Sequence, residues 1–234
     1  MTDITARLAR ARKEIATAAQ RAGREPDSVR LVAVSKTHPA EAVETAAATG
    51  QRIFGENRVQ EAREKIPACP QGLEWHLLGH LQKNKVRQAL SLFSFFHSID
   101  SQALAGAIDR IAGETGRKVD GLLEVNVSGE ETKHGFTPAQ LREAFPALAA
   151  LPHLRIRGLM TMAPYSENPE AARPVFRALR ELRDELQSAH GAALPELSMG
   201  MSGDFEPAIE EGATLVRIGS SIFGQRPQVQ TNAE

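Results

Sequence analysis

Eight times along this 234-residue chain, a short apolar run is followed by a stretch with helical spacing. The apolar runs are 31–34, 52–55, 74–78, 95–99, 121–127, 156–162, 196–199 and 214–218. The stretches after them are 40–48, 59–66, 82–90, 102–112, 139–150, 169–189, 205–211 and a short turn at 220–223. Strands that alternate with helices build parallel sheets, because a parallel pair needs a long, right-handed crossover. Eight such units at this length favour closure into a single (β/α)₈ TIM barrel, the α/β architecture that typically takes about 250 residues. An open doubly wound sheet is the alternative. It lacks support here, since no Gly-x-Gly-x-x-Gly follows the first strand. Ahead of the first unit, Ile4, Leu8, Ala11, Ile15 and Ala18 recur at helical spacing, so an extra N-terminal helix should end near Gly23. Residues 1–226 read as one domain, and the polar segment 227–234 as a flexible tail.

In such a barrel the functional groups stand at the C-terminal ends of the strands. Strand one ends in Lys36, after Leu31-Val32-Ala33-Val34-Ser35. A lysine there is either the first solvated residue after a strand or an amine placed to meet a carboxylate, a phosphate or a carbonyl. Strand two offers Glu56 and Asn57, which also suit a capping turn. Strand three offers His76 and His80, strand five Asn126, strand six Met160 and Met162, and strand seven Ser198 and the turn 200–204. Strand eight carries Arg217 inside an apolar run, so its guanidinium needs an acceptor: an acid such as Glu56, or a ligand heteroatom. Gly219-Ser220-Ser221 then opens a short helical turn. Glycine permits close backbone approach, hydroxyls donate, and free amides at a helix start favour an anion, so this segment reads as half of a phosphate cup. His76 and His80 are read as packing or hydrogen-bonding residues, because no metal-ligand spacing accompanies them. Trp75, Met160 and Met162 read as packing, and Lys83, Lys85 and Arg87 as a solvated helix face. A strand-end amine facing a phosphate cup suits pyridoxal phosphate, and equally a Schiff-base aldolase acting on phosphorylated sugars.

A net charge of −1 gives no global field for nucleic acid or anionic membranes. Cys69 is the sole cysteine, which excludes an internal disulfide framework and fits a reducing, cytoplasmic setting. Neither a secretory h-region nor a run of about 20 apolar residues is evident.

The motifs taken together carry a resemblance. They are Val34-Ser35-Lys36, Phe54-Gly55-Glu56-Asn57, Trp75-His76-Leu77-Leu78-Gly79-His80-Leu81-Gln82-Lys83-Asn84-Lys85, Arg157-Gly158-Leu159-Met160, Leu197-Ser198-Met199-Gly200-Met201-Ser202 and Val216-Arg217-Ile218-Gly219. In this order, from about residue 31 to 226, they resemble the pyridoxal phosphate homeostasis proteins, the YggS/PROSC family. The resemblance implies a barrel similar to the N-terminal domain of alanine racemase. It implies pyridoxal 5'-phosphate as cofactor, held as a reversible Schiff base on Lys36. By the same match Ser202, Gly219 and Ser220 hold the phosphate, Arg217 faces the pyridine nitrogen and Asn57 lines the ring. Lys133, in the segment from Asn126 to Gly135, comes near the mouth as a secondary lysine.

The implied role is a carrier that buffers the cofactor and delivers it to apo-enzymes, with no catalytic residues, no metal and no robust amino-acid turnover. The alternative is a racemase-like enzyme. Racemases of this fold resemblance use a lysine and a tyrosine from a second domain. This chain has no room for that domain, and its only tyrosine is Tyr165, in a loop. An arginine at the ring nitrogen also disfavours ring protonation. No face reads as an interface, so a monomer is expected.

Overall fold

The computed structural model describes residues 4–130 and 133–224; the expected tail at 227–234 lies outside the described residues. Helix α1 (Ile4–Arg21) leads. Eight strand–helix units follow: β1 (Arg30–Val34), α2 (Ala40–Ala48), β2 (Ile53–Glu56), α3 (Val59–Lys65), β3 (Glu74–Leu77), α4 (Val86–Leu92), β4 (Phe95–Ile99), α5 (Gln102–Glu114), β5 (Val119–Glu124), α6 (Pro138–Ala149), β6 (Leu154–Met160), α7 (Arg173–His190), β7 (Glu196–Ser198), α8 (Phe205–Glu210), β8 (Leu215–Ile218) and α9 (Ser220–Phe223). All eight strands are parallel and close in sequence order, β1 pairing with β8 through Arg30↔Leu215 to Ala33↔Ile218. The expected barrel with an extra N-terminal helix is the observed fold.

Period-two alternation decides which side chains fill the barrel. Val32, Phe95, Leu122, Met160 and Leu215 form a small cluster of their own, with Ile53 and Leu78 against it. Intervening residues such as Phe54, Trp75, Leu77, Leu123 and Val216 join the larger cluster under the helices. The strand ends therefore hand their inward positions to Lys36, Asn57, Glu124, Gly200 and Gly219, one step beyond the apolar plug.

Helix α9 has only four residues, too short to cover its share of the sheet. Helix α1 fills the gap and packs on α8, α9 and α2. Its buried stripe is Leu8, Ala11, Ile15, Ala18 and Ala19. A fully buried Leu or Ile contributes about 1.5–3 kcal/mol, so this stripe docks the helix, and Arg21 adds ion pairs to Glu206 and Glu210 on α8.

Three expected boundaries shift for local reasons. Strand β5 stops at Glu124 rather than 127. Asn126 leaves the sheet because its Oδ1 accepts from Gly129 N at 3.0 Å and its Nδ2 donates to Glu130 O at 2.8 Å. Strand β6 starts at Leu154, which pairs with Val119. The long seventh helix begins as a 3₁₀ turn at Pro169–Ala172, with Pro174 in the first turn of α7.

Candidate functional site

Lys36 follows β1 by two residues and is half-buried at the barrel mouth. The turn that carries it is strained: Thr37 has φ 66°, and among the described residues no other non-glycine has positive φ. For a β-branched residue that conformation needs support from its surroundings. The support comes from α3. Lys65 Nζ donates to Ser35 O at 2.8 Å, to Glu56 Oε1 at 2.8 Å and to Glu61 Oε1 at 2.7 Å. Glu61 Oε1 in turn accepts from Thr37 N at 2.5 Å, and Ser35 Oγ donates to Glu56 Oε1 at 2.7 Å. Both residues flanking Lys36 are thus tied to one buried ammonium. Burial pushes the Glu56 carboxyl above its ordinary value, against the pull of Lys65 and Ser35. Its second oxygen, Oε2, is buried without a partner.

Strand order places the sequence-derived candidates together. β7, β8, β1 and β2 are consecutive around the barrel. Ser202 lies in the turn after β7, Arg217 within β8, Gly219 and Ser220 at the start of α9, and Asn57 immediately after β2. The fit is close at Gly219, where a Cβ would stand 3.1 Å from Val34 O. The segment between β8 and α9 is therefore pressed against the strand that ends at Lys36. At Gly200, φ is +91° and a Cβ would meet Ala208 Cβ at 2.7 Å, so this turn accepts only glycine. An amine, a buried guanidinium, two serines and the first amides of α9 form a donor set suited to a small phosphorylated aldehyde.

Arg217 is buried, and burial lowers its pKa to about 10. The expected pairing with Glu56 does not form, because Glu56 is committed to Lys65 on the outer side of the sheet. Arg217 Nη1 instead donates to Ser198 Oγ at 2.6 Å and Nη2 to Thr161 O at 3.0 Å. Behind Ser198 stand two buried histidines, His97 and His76. His76 was expected to hydrogen-bond and does. His97 drew no functional reading from sequence, although its alternation with Phe95 turns both inward.

The opposite rim, β3 to β6, carries groups that sequence spacing did not connect. His80 Nδ1 lies 2.7 Å from Asp100 Oδ2, and the His80 and His134 rings stack with centroids 4.4 Å apart. One ligand atom from each of His80, Asp100 and His134 falls within 4.8 Å of the others, close enough to share a divalent cation. Glu124 ends β5, buried, with its carboxyl pushed up to about 7 by burial and then by Asp100. Lys133 reaches this rim: Nζ donates to Met162 O at 3.2 Å and pairs with Glu130. Asn126, by contrast, spends its amide on the loop that follows β5. Tyr165 is 93% exposed.

Residues 7–227 match the family model described as alanine racemase, N-terminal domain. The pyridoxal phosphate homeostasis protein of Aquifex aeolicus is 49% identical over 221 residues, 94% of this chain and 97% of that protein. Its Escherichia coli K12 namesake is 42% identical over 234 residues, 97% of this chain and 98% of that one. Among solved structures, PipY of Synechococcus elongatus PCC7942 with PLP bound superposes with TM-score 0.80 at 44% identity, covering 91% of this chain and 99% of that one. An alanine racemase of Clostridium difficile 630 superposes with TM-score 0.75 at 18% identity, over 98% of this chain and 58% of its own. That last likeness is one of fold.

Proposed function

The chain belongs to the pyridoxal phosphate homeostasis proteins, and from that premise we propose that it binds pyridoxal 5'-phosphate at the β7–β8–β1–β2 arc of the barrel mouth. The observation that carries this is the convergence, on four adjacent strand ends, of Lys36, Asn57, Ser202, Arg217, Gly219 and Ser220. When bound, the cofactor supplies an aldehyde that condenses with a neutral amine, releasing one water, and hydrolysis returns both partners. Lys36 is the amine. The Lys65 cluster fixes the turn on either side of it, which sets where its side chain leaves the backbone. Ser202, Ser220 and the amide at Gly219 take the phosphate, Arg217 donates to the ring nitrogen, and Asn57 lines the ring.

The role is storage and delivery to apo-enzymes, without robust turnover. A reversible imine limits free aldehyde while allowing release. Lys133, already paired with Glu130, stands as a secondary lysine. The competing reading, a racemase-like enzyme, draws on Glu124 and the His80–Asp100 pair, which put titratable groups across the mouth. Among the described residues no helix is long and apolar enough to cross a membrane, and no nucleic-acid or membrane role is proposed; the protein acts as a cytoplasmic monomer in this reading.

The test is an absorbance spectrum of protein loaded with the cofactor, before and after borohydride, with the modified lysine mapped by mass. The visible band should vanish on reduction and the label should sit on Lys36. Lys36→Ala should lose the band. A band that survives in that variant, or a label on Lys133, would move the attachment elsewhere. Incubation with single amino-acid enantiomers separates carrier from racemase: turnover well above buffer sinks the carrier reading.

A further inference from the structure

A line of hydrogen bonds runs through the barrel interior from its closed end to Arg217. Glu74 Oε1, at the start of β3, lies 2.8 Å from His76 Nε2. His76 Nδ1 lies 2.8 Å from His97 Nε2, and His97 Nδ1 lies 2.8 Å from Ser198 Oγ. Ser198 Oγ accepts from Arg217 Nη1 at 2.6 Å. The three middle members are buried, with His76, His97 and Ser198 all 0% exposed, whereas the Glu74 side chain is 42% exposed.

The direction of this line is fixed by its ends. A guanidinium can only donate and a carboxylate can only accept. Arg217 donates to Ser198, so the hydroxyl proton is free for His97 Nδ1. His97 then carries its proton on Nε2 and donates to His76 Nδ1, and His76 Nε2–H donates to the Glu74 carboxylate. Reversing the histidines would leave the Ser198 proton without an acceptor and set a lone pair of His76 against a carboxylate. Both rings are neutral in this arrangement. Burial first of all lowers the pKa of each, and for His97 the nearby His76 and Arg217 add to it.

We infer that Glu74, His76, His97 and Ser198 act as one positioning relay for Arg217, balancing its buried cation with a carboxylate at the far end of the barrel and holding its remaining N–H groups toward the mouth. Arg217 makes no ion pair among the described residues, and Asp204 and Glu124 act on its charge only from beyond ion-pair distance. The two oxygens its side chain donates to, Ser198 Oγ and Thr161 O, are both uncharged. Hydrogen bonds in a chain polarise one another, so the Glu74 charge is felt at the guanidinium through three neutral groups. The inference rests on the reading that Arg217 meets the ring nitrogen of pyridoxal phosphate. If it does, the relay sets how strongly the site prefers a ring nitrogen over a ring carbon.

The test compares binding of pyridoxal phosphate with binding of its analogue in which C–H replaces the ring nitrogen. A hydrogen bond from a charged donor is worth about tenfold or more in affinity, so the wild-type protein should prefer the natural cofactor by at least that factor. His97→Leu risks misfolding, so Ser198→Ala and Glu74→Gln are the informative variants. One removes a hydroxyl, and the other removes a charge at a half-exposed site remote from the mouth. Ser198→Ala should cut the preference about fivefold to tenfold and Glu74→Gln about twofold to threefold, while analogue binding stays near wild type. Because the relay is one unit, the double variant should be no worse than Ser198→Ala alone. Unchanged preference in both variants, or strictly multiplicative losses, overturns the relay. Wild-type protein that binds neither compound overturns the cofactor reading, and the relay's role with it.

Discussion

Lys65→Met removes the ammonium at the centre of the cluster under the Lys36 turn while keeping an apolar stem of similar length. Three acceptors lose a donor: Ser35 O, Glu56 Oε1 and Glu61 Oε1. Glu61 is one-quarter exposed and can turn to water, but Glu56 is 0% exposed. A buried carboxylate stripped of its partner costs about 3–5 kcal/mol if it stays charged. It can instead take up a proton, which at pH 7 costs about 1.36 × (7 − 4.3) ≈ 3.7 kcal/mol. The cheaper course sets the ceiling. Adding about 1 kcal/mol for the Ser35 carbonyl gives roughly 4–5 kcal/mol at pH 7. This is an upper figure, because burial already raises the Glu56 carboxyl in the wild type.

The pH dependence distinguishes this account from a loss of packing. In the variant the folded pKa of Glu56 is raised above its unfolded value. Such a group's contribution is fully present below the unfolded pKa, about 4.3, and is lost as pH rises toward the folded one. At pH 5 the protonation cost falls to about 1.36 × 0.7 ≈ 1 kcal/mol, so the total falls to about 2 kcal/mol. Urea unfolding of wild type and variant at both pH values measures this, as the shift in midpoint at constant slope. Glu56→Gln/Lys65→Met should recover part of the pH 7 loss. Equal destabilisation at pH 5 and pH 7, or a loss below about 1 kcal/mol at pH 7, would refute the buried-charge argument.

Three further outcomes follow from the same geometry. Gly219→Ala places a Cβ 3.1 Å from Val34 O and 3.3 Å from Val34 Cβ, so pyridoxal phosphate affinity, read by absorbance titration, should fall at least tenfold with the thermal midpoint little changed. Glu124→Gln should stabilise the protein by about 3 kcal/mol at pH 8, and leave it unchanged near pH 4. The reason is that a native carboxyl pushed up to about 7 gives full stability below the unfolded value and loses it as pH rises toward 7. Denaturant midpoints across that range check it. Tyr165→Phe, at a side chain 93% exposed, should change stability by less than about 0.5 kcal/mol and leave any turnover with alanine enantiomers where it was.

The barrel was legible because each strand–helix unit repeats one pattern, and a closed parallel sheet has one place for strand ends. Counting to those ends gives a longer list of candidates, from which the family resemblance singled out Lys36, Asn57, Ser202, Arg217, Gly219 and Ser220. What escaped were side-chain partners between distant segments. Glu56 was a reasonable guess for Arg217, but the period-two turn of β2 separates them: Glu56 faces α3, and Arg217 faces the barrel interior. Lys65 gave a signal that went unread. It falls three residues after Ala62 and six after Val59, on the buried stripe of α3, and a lysine there must have buried acceptors. His97 lies on the inward parity of Phe95, and nothing within its own segment shows that it meets Ser198 and His76. His80, Asp100 and His134 come from three different strand ends, and no spacing within one segment reveals that they meet.

These partners change what supports the carrier reading. From sequence, the argument leaned on a missing second acid or base, since Tyr165 is the only tyrosine. Its side chain is 93% exposed, but Glu124, His80 and Asp100 show that the far rim is not bare of groups able to move a proton. The weight therefore shifts to Arg217. A pKa of about 10 keeps it cationic throughout the physiological range, and its donors into the barrel are committed to Ser198 and Thr161. In the proposed site, a fixed cation at the ring nitrogen opposes ring protonation and so weakens the electron sink on which amino-acid chemistry depends. The tendency to bind without turning over would then be set beneath the cofactor rather than by what is absent around it. Glu74→Gln, far from any substrate, is the change that would expose this. If the relay restrains chemistry, loosening it should raise any residual racemisation while weakening retention of the cofactor. A restraint imposed only by missing acid–base groups would leave that turnover unmoved.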